Sequence, residues 1–302
     1  MTAAATIPFV TLKGGSKFPI MAFGVGTALY KQDCTQQVQQ ALNVGFRFVD
    51  SAEMYANSQF VEPAVTSLAK KEKVFILDKI GTLTEIRKVA LEEREKLKID
   101  KFDALLLHSP PRGQDGKPSN VDAWKEMEQL KEEGVADVIG VSNWLASDLE
   151  QVTPTQKYPI EINQVEYHPL VASTEKYKRM MEIVKKEKIT IMVYSALAPL
   201  TKAPSQDTPL HTILQEIADQ EESSSKWTPG IVLQKWASQH AATSLGDAII
   251  ASTSGKEERL REYLSTFTTR KLTSEEMDKI TQAGAKQPLL KAYMKPVFDA
   301  GE

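Results

Sequence analysis

Asp50, Tyr55, Lys79 and His108 are the side chains in this sequence best suited to moving a proton, and each stands at or just past the end of a short apolar run. The run FRFVDSAEMY (46–55) carries the first two, VFILDK (74–79) the third and FDALLLH (102–108) the fourth. A phenol with a pKa of about 10 is a poor acid at neutral pH, and a cation close by improves it by favouring the phenolate. Lys79 is the candidate cation. Asp50 can pair with it and keep it charged, and His108 can donate a hydrogen bond that orients a substrate oxygen. Together they read as a donor cluster aimed at a developing alkoxide. No side chain supplies a hydride, so reduction at such a cluster requires a nicotinamide. Tyr194, at the end of a later apolar run, is suited to stack on that ring, with Ser142, Asn143 and Gln164 holding its carboxamide. The spacing alone leaves open a hydrolase or lyase that uses Asp, Lys and His.

Positioning these groups requires several strands that end on one side. Strands are expected at 20–25, 46–49, 74–77, 103–107, 136–141, 160–165, 189–194 and 248–251, short and apolar on both faces, as a sheet covered by helices demands. Helical patterns fall at 33–44, 57–70, 84–97, 120–133, 174–187 and 226–239, with a weaker one at 146–152 and further ones at 210–222 and 273–284. Residues 7–19 read as a β-hairpin turning at Gly14 and Gly15. Polar tips recur on at least six of the strands: Asp50, Lys79, His108, Ser142–Asn143, Gln164 and Tyr194–Ser195. An open doubly wound sheet gathers its site at one switch point, whereas a barrel spreads it around a ring. The first turn, FGVGTALY, also lacks the third glycine of a dinucleotide fingerprint, and no helix is expected to begin there. The expectation is a (β/α)8 TIM barrel over residues 1–302 as one domain. Its N-terminal hairpin is joined by extra helices and loops at the C-terminal face: 109–119, 196–225, and an irregular tail with Tyr293 and Phe298 that folds over the mouth.

Composition narrows the function classes. The chain is 41% apolar and 25% charged with a net charge of −3, so a polyanion-binding surface is not expected. No window is long and apolar enough for a membrane span, and the N-terminus does not read as a signal peptide. Cys34 is the single cysteine, which excludes an intrachain disulfide and fits a reducing, cytoplasmic compartment. No His/Cys/Asp arrangement has metal spacing. His168, beside Pro169, reads as structural, and His211 and His240 as solvated. The tryptophans Trp124, Trp227 and Trp236 read as helix faces packed on the barrel, and the run EEREK (92–96) as a charged helix face.

The blocks FGVGTA, GFRFVDSAEMY, VFILDK, DALLLHSP, GVSNW, INQVEYHP, IMVYSALAPL and KLTSEEM, in that order and spacing, resemble the aldo-keto reductase family along almost the whole chain. The resemblance implies a monomeric or weakly associating barrel that reduces aldehydes and ketones with NADPH. Its tetrad falls on Asp50, Tyr55, Lys79 and His108, with Tyr55 as general acid. It implies that Ser142, Asn143 and Gln164 hold the carboxamide beside Asp50, that Tyr194 stacks on the ring, and that Thr27 lies near it. Ser195, Leu197 and Leu200 would wrap the pyrophosphate. At the adenosine end Ser252 stands where members commonly have a lysine, which leaves Ser252, Thr253, Ser254, Lys256 and Arg259 for a 2′-phosphate. Ala28 and Ser109 replace two tryptophans common in the substrate pocket, which would comprise Ala28, Tyr55, His108, Ser109 and Trp144. The likeness is nearest the fungal branch that reduces conjugated polyketones and ketopantoyl-type lactones. The alternatives are an NAD(P)-dependent sugar or polyol dehydrogenase and a barrel that binds cofactor without turnover.

Overall fold

Eight parallel strands close into a barrel in which each strand pairs with its neighbours in the chain and the last pairs with the first. This computed structural model describes residues 7–69, 72–205, 207–221 and 226–301. The hairpin comes first, as β1 (Phe9–Thr11) and β2 (Lys17–Pro19). The first half of the barrel follows: β3 (Met21–Gly24), α1 (Thr35–Val44), β4 (Phe48–Asp50), α2 (Ser58–Ala69), β5 (Phe75–Ile80), α3 (Ile86–Leu97), β6 (Phe102–Leu107) and α4 (Asn120–Glu132). The second half opens with β7 (Ala136–Ser142), α5 (Ala146–Val152), β8 (Ile162–Glu166), α6 (Pro169–Ala172), α7 (Glu175–Glu187), β9 (Thr190–Tyr194) and α8 (Ala198–Thr201). It closes with α9 (Pro209–Asp219), α10 (Pro229–His240), β10 (Ile249–Ser252), α11 (Glu257–Ser265), α12 (Ser274–Ala285) and α13 (Lys295–Ala300).

All eight expected strands are present, each shifted by one to three residues at one end or both. Lys70 and Glu222, the expected last residues of two helices, lie outside the described residues. Two expectations are corrected. The tail is not wholly irregular, because α13 folds there under Lys176, whose ammonium donates to the carbonyls of Phe298, Asp299 and Gly301. The first βα turn does hold a helix, a single 3-10 turn at Thr27–Leu29.

Helix ends follow local chemistry. Gly45, at φ 122°, stops α1. Thr208 and Thr228 cap α9 and α10 ahead of a proline, and Thr273 with Glu276 forms a capping box on α12. The hairpin closes the barrel's N-terminal end. Phe18 from β2 packs 5.2 Å from Phe48 and 5.3 Å from Phe75, ring centre to ring centre. The N–H of Gly14 donates to the carboxylate of Glu161 at 2.9 Å. The other end of the barrel is thereby left as the open one.

Three sequence expectations about side chains fail for one reason, which is long-range packing. His240 is not solvated: it stacks on Trp236 at 4.4 Å, its Nδ1 is 2.8 Å from the Tyr167 hydroxyl, and burial lowers its pKa to about 4. His211 faces Thr208 at 2.7 Å, and its Nε2 is buried. In EEREK, Glu93 is 2% exposed and accepts hydrogen bonds from Ser58 and Lys96. Trp124 and Trp236 are buried as expected. Trp227 lies against the Lys235 ammonium and the Arg270 guanidinium, each within 5 Å of its ring centre.

Candidate active site

The C-terminal ends of β4, β5 and β6 bring Asp50, Lys79 and His108 to one place, and a 3-10 turn after β4 (Glu53–Tyr55) adds the phenol. Lys79 is fully buried, and its ammonium donates to Asp50 Oδ1 and to the Ser51 carbonyl, each at 2.6 Å. Gln164 Nε2 donates to the same Asp50 oxygen at 2.9 Å. The ammonium lies 5.0 Å from the centre of the Tyr55 ring, and the His108 ring meets that ring edge-on at 5.7 Å.

Charge states follow from these contacts. Burial is the largest single influence on Lys79 and acts to lower its pKa, but its acidic neighbours, Asp50 foremost, outweigh it, so the pKa is raised and the ammonium persists. Burial raises the pKa of Tyr55, and Lys79 only moderates the rise. The phenol therefore keeps its proton at neutral pH. Burial, then Lys79, lowers His108 to about 3, so it is a neutral imidazole. Its Nδ1 is buried with no partner among the described residues. That environment favours the tautomer with hydrogen on Nε2, leaving an N–H to donate into the cleft.

Beyond the phenol the cleft has a volume of about 700 Å³, the size range of a cofactor with its substrate. Ser142, Asn143, Gln164 and Tyr194 all line it, but they are not free hands. Ser142 donates to the Gln164 carbonyl at 2.8 Å. Asn143 Nδ2 donates to the His108 carbonyl at 2.9 Å and to Ser142 Oγ at 3.0 Å, and its Oδ1 accepts from the Tyr194 hydroxyl at 2.7 Å. What remains for a ligand is mainly acceptor capacity on the two amide oxygens, which suits the NH2 of a carboxamide.

The far arm of the cleft is lined by Ser195, Leu197, Thr201, Lys202, Ser252, Thr253, Ser254 and Arg259, with Thr27 nearer the phenol. Sequence reasoning missed Lys202, Thr201 and Tyr263. Tyr263 is 3% exposed, and hydrogen bonding to Ser252 and Arg259 pulls its pKa down against a larger rise from burial. Lys256 stays outside, exposed at the start of α11. Leu200 does not line the cleft either but packs against the core.

The wall around Tyr55 and His108 is Gly26, Ala28, Tyr30, Met54, Tyr293 and Met294. Ser109 and Trp144 are not part of it. Successive residues leave a strand on opposite sides, so Ser109 turns away as His108 turns in. Asn143, at φ 63°, likewise faces the cleft and sends Trp144 into the core, fully buried. Met54 and Met294 carried no sequence signal, since their placement depends on a loop tip and on the tail.

Gly26 also had no role in the sequence reading. A Cβ there would lie 2.7 Å from Tyr55 Cζ and 3.0 Å from its hydroxyl. Gly26→Ala is expected to displace the phenol and slow any reaction that uses it by on the order of 10²-fold. Turnover within twofold of wild type would show that the ring yields without cost.

The sequence profile of the aldo/keto reductase family matches residues 19–285. The chain is 29% identical to an NAD/NADP-dependent indole-3-acetaldehyde reductase of Schizosaccharomyces pombe, over 90% of this chain and 94% of the relative. It is 27% identical to an NADPH-dependent alpha-keto amide reductase of Saccharomyces cerevisiae, over 96% and 95% respectively. It is 30% identical to an aldo-keto reductase of Mycolicibacterium vanbaalenii, over 88% and 89%.

Proposed function

From the premise that the chain belongs to the aldo/keto reductase family, we propose that it reduces an uncharged aldehyde or ketone to an alcohol with NADPH, Tyr55 giving the proton. The observation that carries this reading is the Tyr55 ring centred 5.0 Å from a fully buried Lys79 ammonium, at the mouth of a cleft shared with a neutral His108. A neutral imidazole can donate a hydrogen bond to a carbonyl oxygen but has no second proton to give. The phenol is then the acid. Burial keeps its proton in place until a developing alkoxide draws it, and the ammonium stabilises the phenolate left behind. Asp50 holds the ammonium in position. A bound reduced nicotinamide supplies the hydride to the carbonyl carbon.

The cleft suits that group. Tyr194 offers a ring, Asn143 and Gln164 offer amide oxygens, and the far arm offers hydroxyls with two cations, Lys202 and Arg259. A guanidinium among hydroxyls at the start of α11 binds a phosphate well. Arg259→Ala is expected to weaken NADPH at least about tenfold, the worth of one charge-assisted contact, and NADH much less. Fluorescence titration of both cofactors checks it, and equal losses would remove the phosphate role.

Among the described residues the substrate wall carries no cation open to the cleft, because the Lys79 charge is taken up by Asp50 and Ser51. Neutral carbonyls, including α-keto lactones, esters and amides, are favoured over α-keto acids, since a carboxylate there would lose its water without a partner. The yeast alpha-keto amide reductase among the relatives supports that class, as does the resemblance to the fungal lactone- and polyketone-reducing branch. NADPH oxidation against neutral α-dicarbonyls, aromatic aldehydes, aldoses and α-keto acids tests the reading. No turnover with any carbonyl would sink it, and turnover confined to α-keto acids would overturn the substrate class.

A further inference from the structure

Glu53 stands two residues before Tyr55, in the same 3-10 turn. Its Oε2 accepts from the backbone N–H of Gly81 at 2.9 Å and of Thr82 at 3.0 Å, and its Oε1 accepts from the Thr82 hydroxyl at 2.6 Å. Gly81 and Thr82 are the first two residues past β5, the strand that carries Lys79. One carboxylate therefore ties the turn bearing the phenol to the tip of the strand bearing the ammonium. These are charge-assisted hydrogen bonds, the strong kind. Met54, between Glu53 and Tyr55, rests on the same spot: a Cβ added to Gly81 would meet its sulfur at 2.2 Å.

We propose that Glu53 is a positioning residue for the proton donor, and that by gripping the tip of β5 it fixes the separation between Tyr55 and Lys79. The proposal rests on the reading of Tyr55 as the acid. Glu53 does not line the cleft, so its influence must run through the turn. The turn's own bonds, Tyr55 N–H to the Ala52 carbonyl at 2.9 Å and Ala56 N–H to the Glu53 carbonyl at 3.1 Å, set its local shape. They do not set its height relative to β5. On the far side, the N–H of Lys31 holds the Tyr55 carbonyl at 2.8 Å, which ties the turn to the loop after β3. Ser51, just before the turn, is held to β5 by its N–H on the Leu77 carbonyl at 2.9 Å and by its carbonyl under the Lys79 ammonium at 2.6 Å, and Glu53 supplies the opposing tie from the turn itself. Without it the turn stays attached at the Lys31 side and tilts away from Lys79.

The test uses Thr82→Val, which removes the hydroxyl and leaves the Glu53 charge, with Thr82→Ser as the conservative partner and Glu53→Gln as the direct variant. Crystal structures of the wild type and of each variant give the ammonium-to-ring separation, 5.0 Å in the structure described above, and steady-state kinetics give kcat and KM. The expected result for Thr82→Val and Glu53→Gln is a separation longer by about 1 Å with kcat down fivefold or more. NADPH affinity and substrate KM should stay within twofold, and Thr82→Ser should restore both separation and kcat. An unchanged separation overturns the proposal, and so does a longer separation with unchanged kcat or a kcat loss matched by an equal rise in KM. If Glu53→Gln does not fold, Thr82→Val decides alone. Absence of carbonyl reduction in the wild type would end the functional reading, while the measured separation would still decide whether Glu53 positions Tyr55.

Discussion

Tyr55→Phe is expected to lower kcat for carbonyl reduction by about 10²- to 10⁴-fold, the usual worth of a positioned general acid. The substitution removes one oxygen and leaves the ring where Gly26 and His108 pack it. The ion pair beneath, Lys79 to Asp50 at 2.6 Å, does not depend on the hydroxyl. The far arm of the cleft is lined by other residues, so the NADPH dissociation constant should stay within about twofold of wild type. No neighbour can substitute as the acid. Asp50 already accepts from Lys79 and Gln164. His108, with its pKa lowered to about 3, carries no surplus proton above pH 5. Stopped-flow or steady-state NADPH oxidation measures the loss. A variant that keeps more than a tenth of wild-type kcat would mean that the proton comes from elsewhere.

Three of the four central residues were legible because a strand end is a strong local signal, and Tyr55 follows one of those ends by five residues. An apolar run that stops on Asp50, Lys79 or His108 marks both the strand and the side chain it delivers, and barrel closure then brings the ends together. What the sequence concealed is set across long distances. Ser109 and Trp144 follow legible residues and were assigned to the pocket with them, but their placement turns on the alternation of the strand and on the φ of 63° at Asn143. The amides of Asn143 and Gln164 look free in a string of letters. In the fold the Asn143 amide donates to the His108 carbonyl and to Ser142, and the Gln164 amide donates to Asp50. Tyr263 and Met294 reach the cleft from α11 and from the start of α13, two elements after β10 that the strand pattern says nothing about. Gly26 reads as a mere turn residue until Tyr55 is seen filling the space a Cβ would take.

Lys79→Met should fail in two separable ways. The first is stability. Lys79 is 0% exposed and its partner Asp50 5% exposed, and removing the ammonium leaves the carboxylate with Gln164 as its one remaining side-chain donor among the described residues. Breaking a buried pair in this manner costs about 3–5 kcal/mol. The second is chemistry: the phenolate formed on proton transfer loses its cation, so kcat should fall at least as far as in Tyr55→Phe. The Lys79 pKa is raised in the fold. The stability this pair contributes is therefore fully present below the unfolded lysine value of about 10.4 and is lost only as pH rises through the folded value, so the deficit should be undiminished from pH 7 to 9. The double variant Lys79→Met/Asp50→Asn separates the two failures. It removes the stranded charge, so denaturant melts should regain most of the lost stability, while turnover should remain at the level of Lys79→Met. Turnover that returned with stability would show that the lysine serves the fold alone; stability that did not return would show that the loss came from the cavity around the shorter side chain rather than from the unpaired carboxylate.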